Sequence, residues 1–415
     1  MSERSERINV TGSGSPRSGE HPPVQDWATD FDHTDEVWAA DPFPIWDELR
    51  AKCPVAHSDR YGGAWLPTRH EDVAAIAYDT ENFTSRSVVV TNYRPPNIAP
   101  RGIAPPISSD PPFHAGARRI LLPLMSPQTI AKLEPSTREY CESLVDDLRG
   151  RDVVDAAQEY AQHIPVRVIA RMLGFPEDDA DRFRGFVHHA LEDVTLPLEQ
   201  RFIGMQELFE YLRVQVQEHI EHPRDDLTTA MLNAEMDGEP VGLEHVGGTV
   251  ALLLLAGIDT TWSAIGASIF HLAGHPDDRE RLVAEPELLP TAIEEFLRAY
   301  APVTMARLVK HDMDWNGCPM KADDWILLSF PSANRDPEFF EKADEVILDR
   351  ENNRHAAFGL GIHRCAGSHL ARMELRVALE VFLDAFPVFE LADPAAVRWS
   401  GGQVRGPREL PLRIG

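Results

Sequence analysis

The chain has little of what several protein classes require. Its four cysteines, Cys53, Cys141, Cys318 and Cys365, lie far apart and form no CxxC pair. That argues against a disulfide scaffold and against a cysteine zinc cluster, and a reducing cytoplasm is the expected compartment. Its apolar runs are short. The longest lies around Val250 to Ile258, well below the ~20 residues a membrane span takes, so no membrane anchor is expected. Basic residues are scarce: 40 Lys and Arg stand against 67 Asp and Glu, a net charge of −27. Such a balance disfavours nucleic acid and anionic membranes as partners. The first 25 residues, MSERSERINVTGSGSPRSGEHPPVQ, lack the apolar stretch of a secretion signal. Residues 1–25 are expected to form a disordered leader.

The remaining chain is of globular composition, with 43% hydrophobic and 26% charged residues and no internal repeat or separating linker. One unit is expected over residues 26–415. Helical spacing is read at Pro42 to Lys52 and His70 to Tyr78, with short strands at Val55 to Ser58 and Ala64 to Pro67 between them. Val88 to Pro112 is rich in proline and poor in periodicity, which predicts a long irregular loop. Helical patterns follow at Ser126 to Arg149, Val154 to Leu173, Asp178 to Glu192, Leu198 to Glu221 and Leu243 to Ala273. The last is apolar on nearly every face and is expected to cross the middle of the molecule. A helix at Pro290 to Tyr300, strands at Thr304 to Lys310 and Trp325 to Ser329, a final helix at Gly367 to Phe386 and strand-like residues to Gly415 complete a mainly α chain with a minor β region.

The most specific signal is Phe358-Gly359-Leu360-Gly361-Ile362-His363-Arg364-Cys365-Ala366-Gly367, which runs straight into an amphipathic helix. Glycines here let the backbone approach a flat ligand closely. A cysteine at a helix N-terminus is expected to have its thiolate stabilised and its pKa lowered. One thiolate cannot close a tetrahedral zinc site, but it is what one axial position of a haem iron requires. The plainer alternative is a buried structural thiol beside a glycine turn.

A second segment, Ala256-Gly257-Ile258-Asp259-Thr260-Thr261, places an acid and two hydroxyls inside the apolar helix. Burying such groups is costly unless they are paired or used. They can be satisfied structurally, the threonines by carbonyls one turn earlier and Asp259 by an arginine. Glu295 and Arg298 stand one helical turn apart, which suits an ion pair. His114 and Arg118, in Asp110-Pro111-Pro112-Phe113-His114-Ala115-Gly116-Ala117-Arg118, share one helical face and can clamp an anion.

Together these segments resemble the cytochrome P450 superfamily, in its bacterial soluble class. Phe358, Gly359, Gly361, His363, Cys365 and Gly367 match the F-G-x-G-x-H-x-C-x-G signature, Ala256 to Thr260 match A-G-x-[DE]-T, Glu295 and Arg298 match E-x-x-R, and Asp110 to Arg118 match D-P-P-x-H-x-x-x-R. The resemblance spans roughly Asp41 to Gly415. It implies the P450 fold, a triangular, helix-rich single domain, and a monooxygenase that carries haem b (iron protoporphyrin IX). Cys365 would then be the metal ligand, with Phe358 and Gly359 beside the sulfur and His363, His114, Arg118 and Arg307 toward the propionates. Gly257 would open a groove for dioxygen, and Thr260 with Asp259 would be catalytic, relaying protons. Glu295, Arg298, Arg350 and Asn334 to Pro337 would hold the cysteine loop.

The chain ends 50 residues after Cys365 with no flavin or iron–sulfur domain. Electrons are therefore expected from a ferredoxin or flavodoxin-like donor with its reductase, and from NAD(P)H only indirectly. Asn353 to Met373 and Pro111 to Leu133 hold Arg354, Arg364, Arg372, Arg118, Arg119 and Lys132 with no Asp or Glu, an expected basic docking face. Aliphatic side chains at Val88 to Pro106, Leu252 to Thr260, Val303 to Met305 and Gly402 to Val404, the segments that the resemblance turns toward substrate, imply a small or medium apolar organic substrate. The alternatives are a peroxide-driven haem-thiolate oxygenase, which the Asp259–Thr260 pair disfavours by the resemblance, and a haem-thiolate sensor. A sensor would need a second ligand, and no His or Met stands in Ala256 to Thr261 to provide one.

Overall fold

The computed structural model describes residues 22–91, 93–94, 98–192 and 198–415. Most of the expected leader, residues 1–21, lies outside them. Pro22 to Gln25 are described, and the Pro22 carbonyl accepts a hydrogen bond from Arg60 Nη2 at 2.7 Å.

Helices make up about 52% of the chain. The central one runs Leu243–Gly274, over 32 residues. It is long and apolar enough to cross a membrane, a property that its short apolar run had concealed, but 67% of its most apolar stretch is buried within the protein. Val246, Val250, Leu254, Ile258, Ile265, Ile269 and Leu272 are fully covered, each worth about 1.5–3 kcal/mol of burial. Two further helices pack on it, His163–Leu173 on one side and the final helix Ser368–Ala385 on another.

A five-stranded sheet lies beside this helical body. Its order is Val55–Ser58, Ala64–Pro67, Trp325–Ser329, Thr304–Val309, Phe83–Thr84. Trp325–Ser329 runs parallel to Ala64–Pro67 and antiparallel to Thr304–Val309. Apolar clusters line it, one around Trp46, Leu66 and Trp325 and another around Val73, Ile326 and Phe330.

The expected elements at His70–Tyr78, Leu198–Glu221 and Trp325–Ser329 have their observed bounds. Others differ. Ser126 to Arg149 is two helices, Pro127–Ala131 and Glu134–Leu148, because Pro135 has no N–H to continue the first and suits the first turn of a new one. Val153–Asp155 is a strand, not the start of a helix, since it pairs with the C-terminal strand Pro411–Ile414. The Asp155 carboxylate then accepts from the Ala157 and Gln158 amides, opening the helical stretch that follows. Helices at Phe113–Leu124, Leu227–Leu232 and Pro276–Ala284 join those read from the sequence.

Candidate active site

The cysteine loop lies between the sheet and the final helix. The Cys365 amide donates to the Phe358 carbonyl at 2.7 Å, and the Gly359 amide donates to Ala356 O at 2.8 Å, closing the loop on itself. Gly361, at φ 69°, touches the helix His70–Tyr78 so closely that a Cβ would sit 2.4 Å from the Ala77 carbonyl oxygen. Only glycine fits such a contact at a left-handed φ.

A buried ion network holds this loop from behind. Glu295 and Arg298 are both fully buried and paired at 2.8 Å. Arg350 and Asn353 also reach the Glu295 carboxylate, at 3.0 Å each. Arg298 donates to the carbonyls of Asn334, Ala343 and Glu345, and Asn334 Oδ1 accepts the Ala356 amide at 2.6 Å. Asp336 accepts the His70 amide at 2.8 Å and so starts the helix against which Gly361 rests. Arg335 belongs elsewhere: it stacks 3.8 Å over the Phe43 ring and donates to Ala299 O.

Cys365 lies next to this frame and lines an open cavity. Its thiol is not lowered as the sequence implied. Burial pushes it up, while the Gly367 amide and the charges of Arg118, Arg372 and Arg364 only partly oppose this. The helix dipole falls short because the helix begins at Ser368, beyond Gly367 as its cap.

Strand periodicity builds one cavity edge. Val303, Met305 and Arg307 alternate along the chain and all face the cavity. Arg307 is buried, donates to Ala306 O at 2.7 Å, and has no carboxylate in ion-pair range among the described residues. Burial lowers it to about 10. Nearby, His363 Nε2 lies 2.9 Å from Ser85 Oγ, and its ring meets that of His114 at 4.4 Å. Burial, with Arg307, His114 and Arg118 adding to it, lowers His363 to about 2. Burial and Arg118 lower His114 to about 4, and its Nε2 is buried without a partner. Arg118 donates to Arg364 O at 2.8 Å. Asp110, in the proline-rich motif, fixes the facing segment by accepting from Thr84 Oγ1 at 2.5 Å and the Ser85 amide at 3.0 Å. Sequence reading did not single out Ser85, which no motif marks.

The opposite wall is the central helix. Ala256, Gly257, Thr260 and Thr261 line the cavity, and a Cβ at Gly257 would approach Ile169 Cδ1 to 3.0 Å. Thr260 Oγ1 donates to Ala256 O at 2.8 Å. Asp259 is fully buried and points off the cavity, where Arg408 Nη2 binds its carboxylate at 2.6 Å. Arg408 also donates to Ser263 Oγ at 3.0 Å and lies 4.2 Å over the Trp262 ring. Of the structural satisfactions foreseen for this segment, the arginine on Asp259 and the back-bond of Thr260 are present, with Thr260 on the cavity wall and Asp259 behind it.

The residues fit a haem. A lone cysteine faces the cavity from one wall, the other wall is apolar, and one edge carries a buried arginine and a buried imidazole nitrogen without counterparts, which a carboxylate-bearing flat ligand would supply. The cleft is that of a haem-thiolate protein. Comparison with known proteins gives the family: the sequence profile described as "Cytochrome P450" matches residues 183–396. Mycinamicin IV hydroxylase/epoxidase of Micromonospora griseorubida is 33% identical over 375 residues, 88% of this chain and 94% of that protein. Vitamin D(3) 25-hydroxylase of Pseudonocardia autotrophica is 31% identical, over 90% of this chain and 94% of that one. The crystal structure of CYP109E1 from Bacillus megaterium in complex with testosterone aligns with a TM-score of 0.82 at 29% identity, covering 90% of this chain and 98% of that one. The chain belongs to the cytochrome P450 family and is a P450 haem monooxygenase.

Proposed function

We propose that the protein inserts one atom of dioxygen into a neutral, apolar organic molecule of small or medium size, with electrons delivered by a separate ferredoxin or flavodoxin-like protein and its NAD(P)H-dependent reductase. Residues 26–415 act as one haem-binding unit. The observation that carries this reading is the single cavity shared by Cys365 and the Ala256 to Thr261 segment, whose walls are otherwise mostly apolar, among them Ile107, Leu252 and Val303. Such walls hold a ligand by shape and exclude water.

When bound, haem b supplies the activation of dioxygen. Cys365 would hold its iron, flanked by Phe358 and Gly359, and Arg307, Arg118, His114 and His363 would hold its propionates. Thr260 carries a hydroxyl proton and lines the cavity directly. Its hydroxyl hydrogen now points to Ala256 O, so rotation about the Cβ–Oγ1 bond is what turns a proton toward the ligand. Asp259, ion-paired with Arg408, would have to leave that contact and take up a proton from solvent before it could pass one to Thr260.

The docking face is smaller than the sequence implied. Arg372 binds Glu294 through two hydrogen bonds, at 2.6 and 2.7 Å, and Arg119 lies 3.6 Å from Asp237. Arg118, Lys132, Arg354 and Arg364 have no carboxylate in ion-pair range among the described residues; Arg118 turns to the Arg364 carbonyl and the cavity, which leaves the other three to meet an acidic donor. A cytoplasmic location suits the four unpaired cysteines.

The first test is the absorption spectrum of the dithionite-reduced protein under carbon monoxide, beside Cys365→Ser. A strongly red-shifted Soret band that the variant loses supports thiolate ligation, and an unshifted band refutes it. With a reductase system, Thr260→Ala should divert electrons to peroxide release. Unchanged coupling would favour the peroxide-driven alternative.

A further inference from the structure

Gln403 stands in the Gly402 to Val404 segment that the resemblance turns toward substrate, but it does not line the cavity; it ties that segment and Val88 to the edge of Val303, Met305 and Arg307 from behind. It lies in the tight turn after Ser400 and is 4% exposed. Its side-chain amide nitrogen donates to the Val88 carbonyl at 2.9 Å and contacts Met305 Sδ at 3.5 Å. An amide nitrogen carries two hydrogens, and these two acceptors take both. The backbone completes the junction. The Thr304 amide donates to Gln403 O at 3.0 Å, the Ala306 amide donates to Val88 O at 3.0 Å, and Val303 bridges Val404.

Met305 is the adaptable member of this group. Its neighbours two residues away on the same strand face, Val303 and Arg307, are a stiff β-branched side chain and a buried, hydrogen-bonded one. A thioether has three rotatable bonds and fills irregular space readily. Of its contacts, the amide of Gln403 is a directional one, fixing the sulfur and hence the course of the terminal methyl.

We propose that Gln403 is a specificity-determining positioning residue: by holding the Met305 sulfur from behind the wall, it sets the shape of the cavity that a neutral apolar ligand meets. The proposal rests on the reading of this cavity as the substrate site. Without the amide, Met305 samples several rotamers, and a ligand that needs the space must order the side chain as it binds. The entropy of fully ordering a methionine corresponds to about a ten- to thirtyfold loss of affinity; part of that freedom is already lost against the wall, which leaves about five- to tenfold.

The test uses the haem-loaded protein and ligand titration followed by difference spectroscopy, with imidazole and 4-phenylimidazole as probes. Imidazole reports the iron position alone, whereas the phenyl ring extends into the cavity. Gln403→Leu keeps most of the volume and removes the donor. It should weaken 4-phenylimidazole binding about five- to tenfold relative to imidazole. Met305→Leu should change the same ratio, and adding Gln403→Leu to it should move the ratio less than about twofold. A general structural role predicts something else: equal losses for both probes, or the same ratio change in either background, and either result overturns the proposal. Met305→Leu leaves the bond from Gln403 to Val88 in place, so an unchanged ratio in that variant also overturns it, even should Gln403→Leu fail to fold. If the wild-type protein binds imidazole and gains nothing from the phenyl ring, the cavity reading itself fails and the proposal falls with it.

Discussion

Glu374 offers a quantitative test of how the core is built. It sits on the final helix, 1% exposed, with Oε2 buried and unpartnered, and burial raises its pKa well above the usual carboxylate range. In the unfolded chain a glutamate ionises near 4.3. At any pH between the unfolded and the folded pKa, folding therefore takes up a proton at this site. The sign follows from linkage: this group's stabilising contribution is complete below the unfolded pKa and is lost as pH rises toward the folded one. The slope is about 1.4 kcal/mol per pH unit. Glu374→Gln keeps the volume and stays neutral in both states, so it lacks that slope. Urea unfolding of the haem-loaded wild type and variant at pH 5.5, 6.5 and 7.5, read by far-UV circular dichroism and the Soret band, should show the variant gaining on the wild type by about 1.4 kcal/mol per unit. All other titrations are common to both proteins and cancel. Parallel curves would refute the reasoning, for they would mean that Glu374 is ionised in the fold.

The loop and its support give further expectations. Gly361→Ala places a Cβ 2.4 Å from Ala77 O at a strained φ, and should cost about 1–3 kcal/mol, read as earlier haem loss in thermal melts. Glu295→Gln leaves Arg298 and Arg350 without their counter-charge and should cost about 3–5 kcal/mol, so soluble, haem-loaded yield should fall sharply while Arg213→Gln, whose partner Glu210 is likewise exposed, retains it. Arg364→Glu should slow reduction by an acidic ferredoxin and flatten its salt dependence, as stopped-flow would show, without altering the carbon monoxide spectrum.

The fold was legible where local signals agree. His70–Tyr78 is periodic and bounded by a helix-disfavouring edge on each side, and Leu198–Glu221 needs no distant partner to be a helix. Val153–Asp155 is short and strand-prone, and only its pairing with Pro411–Ile414 decides it. The candidate site shows the same division. Motif spacing named Cys365, His363, His114, Arg118 and Arg307, which the fold gathers on one cavity or its edge. It did not reveal Arg408 opposite Asp259 or Ser85 opposite His363, because those partners are 149 and 278 residues away in the chain. Counting charges within a segment failed for the same reason. Arg372 lies in a stretch without acids, but Glu294 meets it from another helix.

The two walls of the cavity are held by different forces, and this bears on what each can tolerate. Behind the cysteine loop, Glu295, Arg298, Arg350 and Asn334 form a network in which every member is charged or doubly hydrogen-bonded. Removing one leaves the others buried and unsatisfied, so the loop is rigid because its alternatives are costly. Much of the remaining lining, Ile107, Leu252, Val303 and Met305 among it, is apolar. Substitutions there change volume by a methylene or two, at about 1 kcal/mol each, and leave no orphaned charge. A protein built this way can vary the molecule it accepts while the geometry at Cys365 stays fixed. The exceptions should be polar residues that anchor the apolar wall from outside, of which Gln403 is the clearest, since its loss alters shape without altering any lining residue.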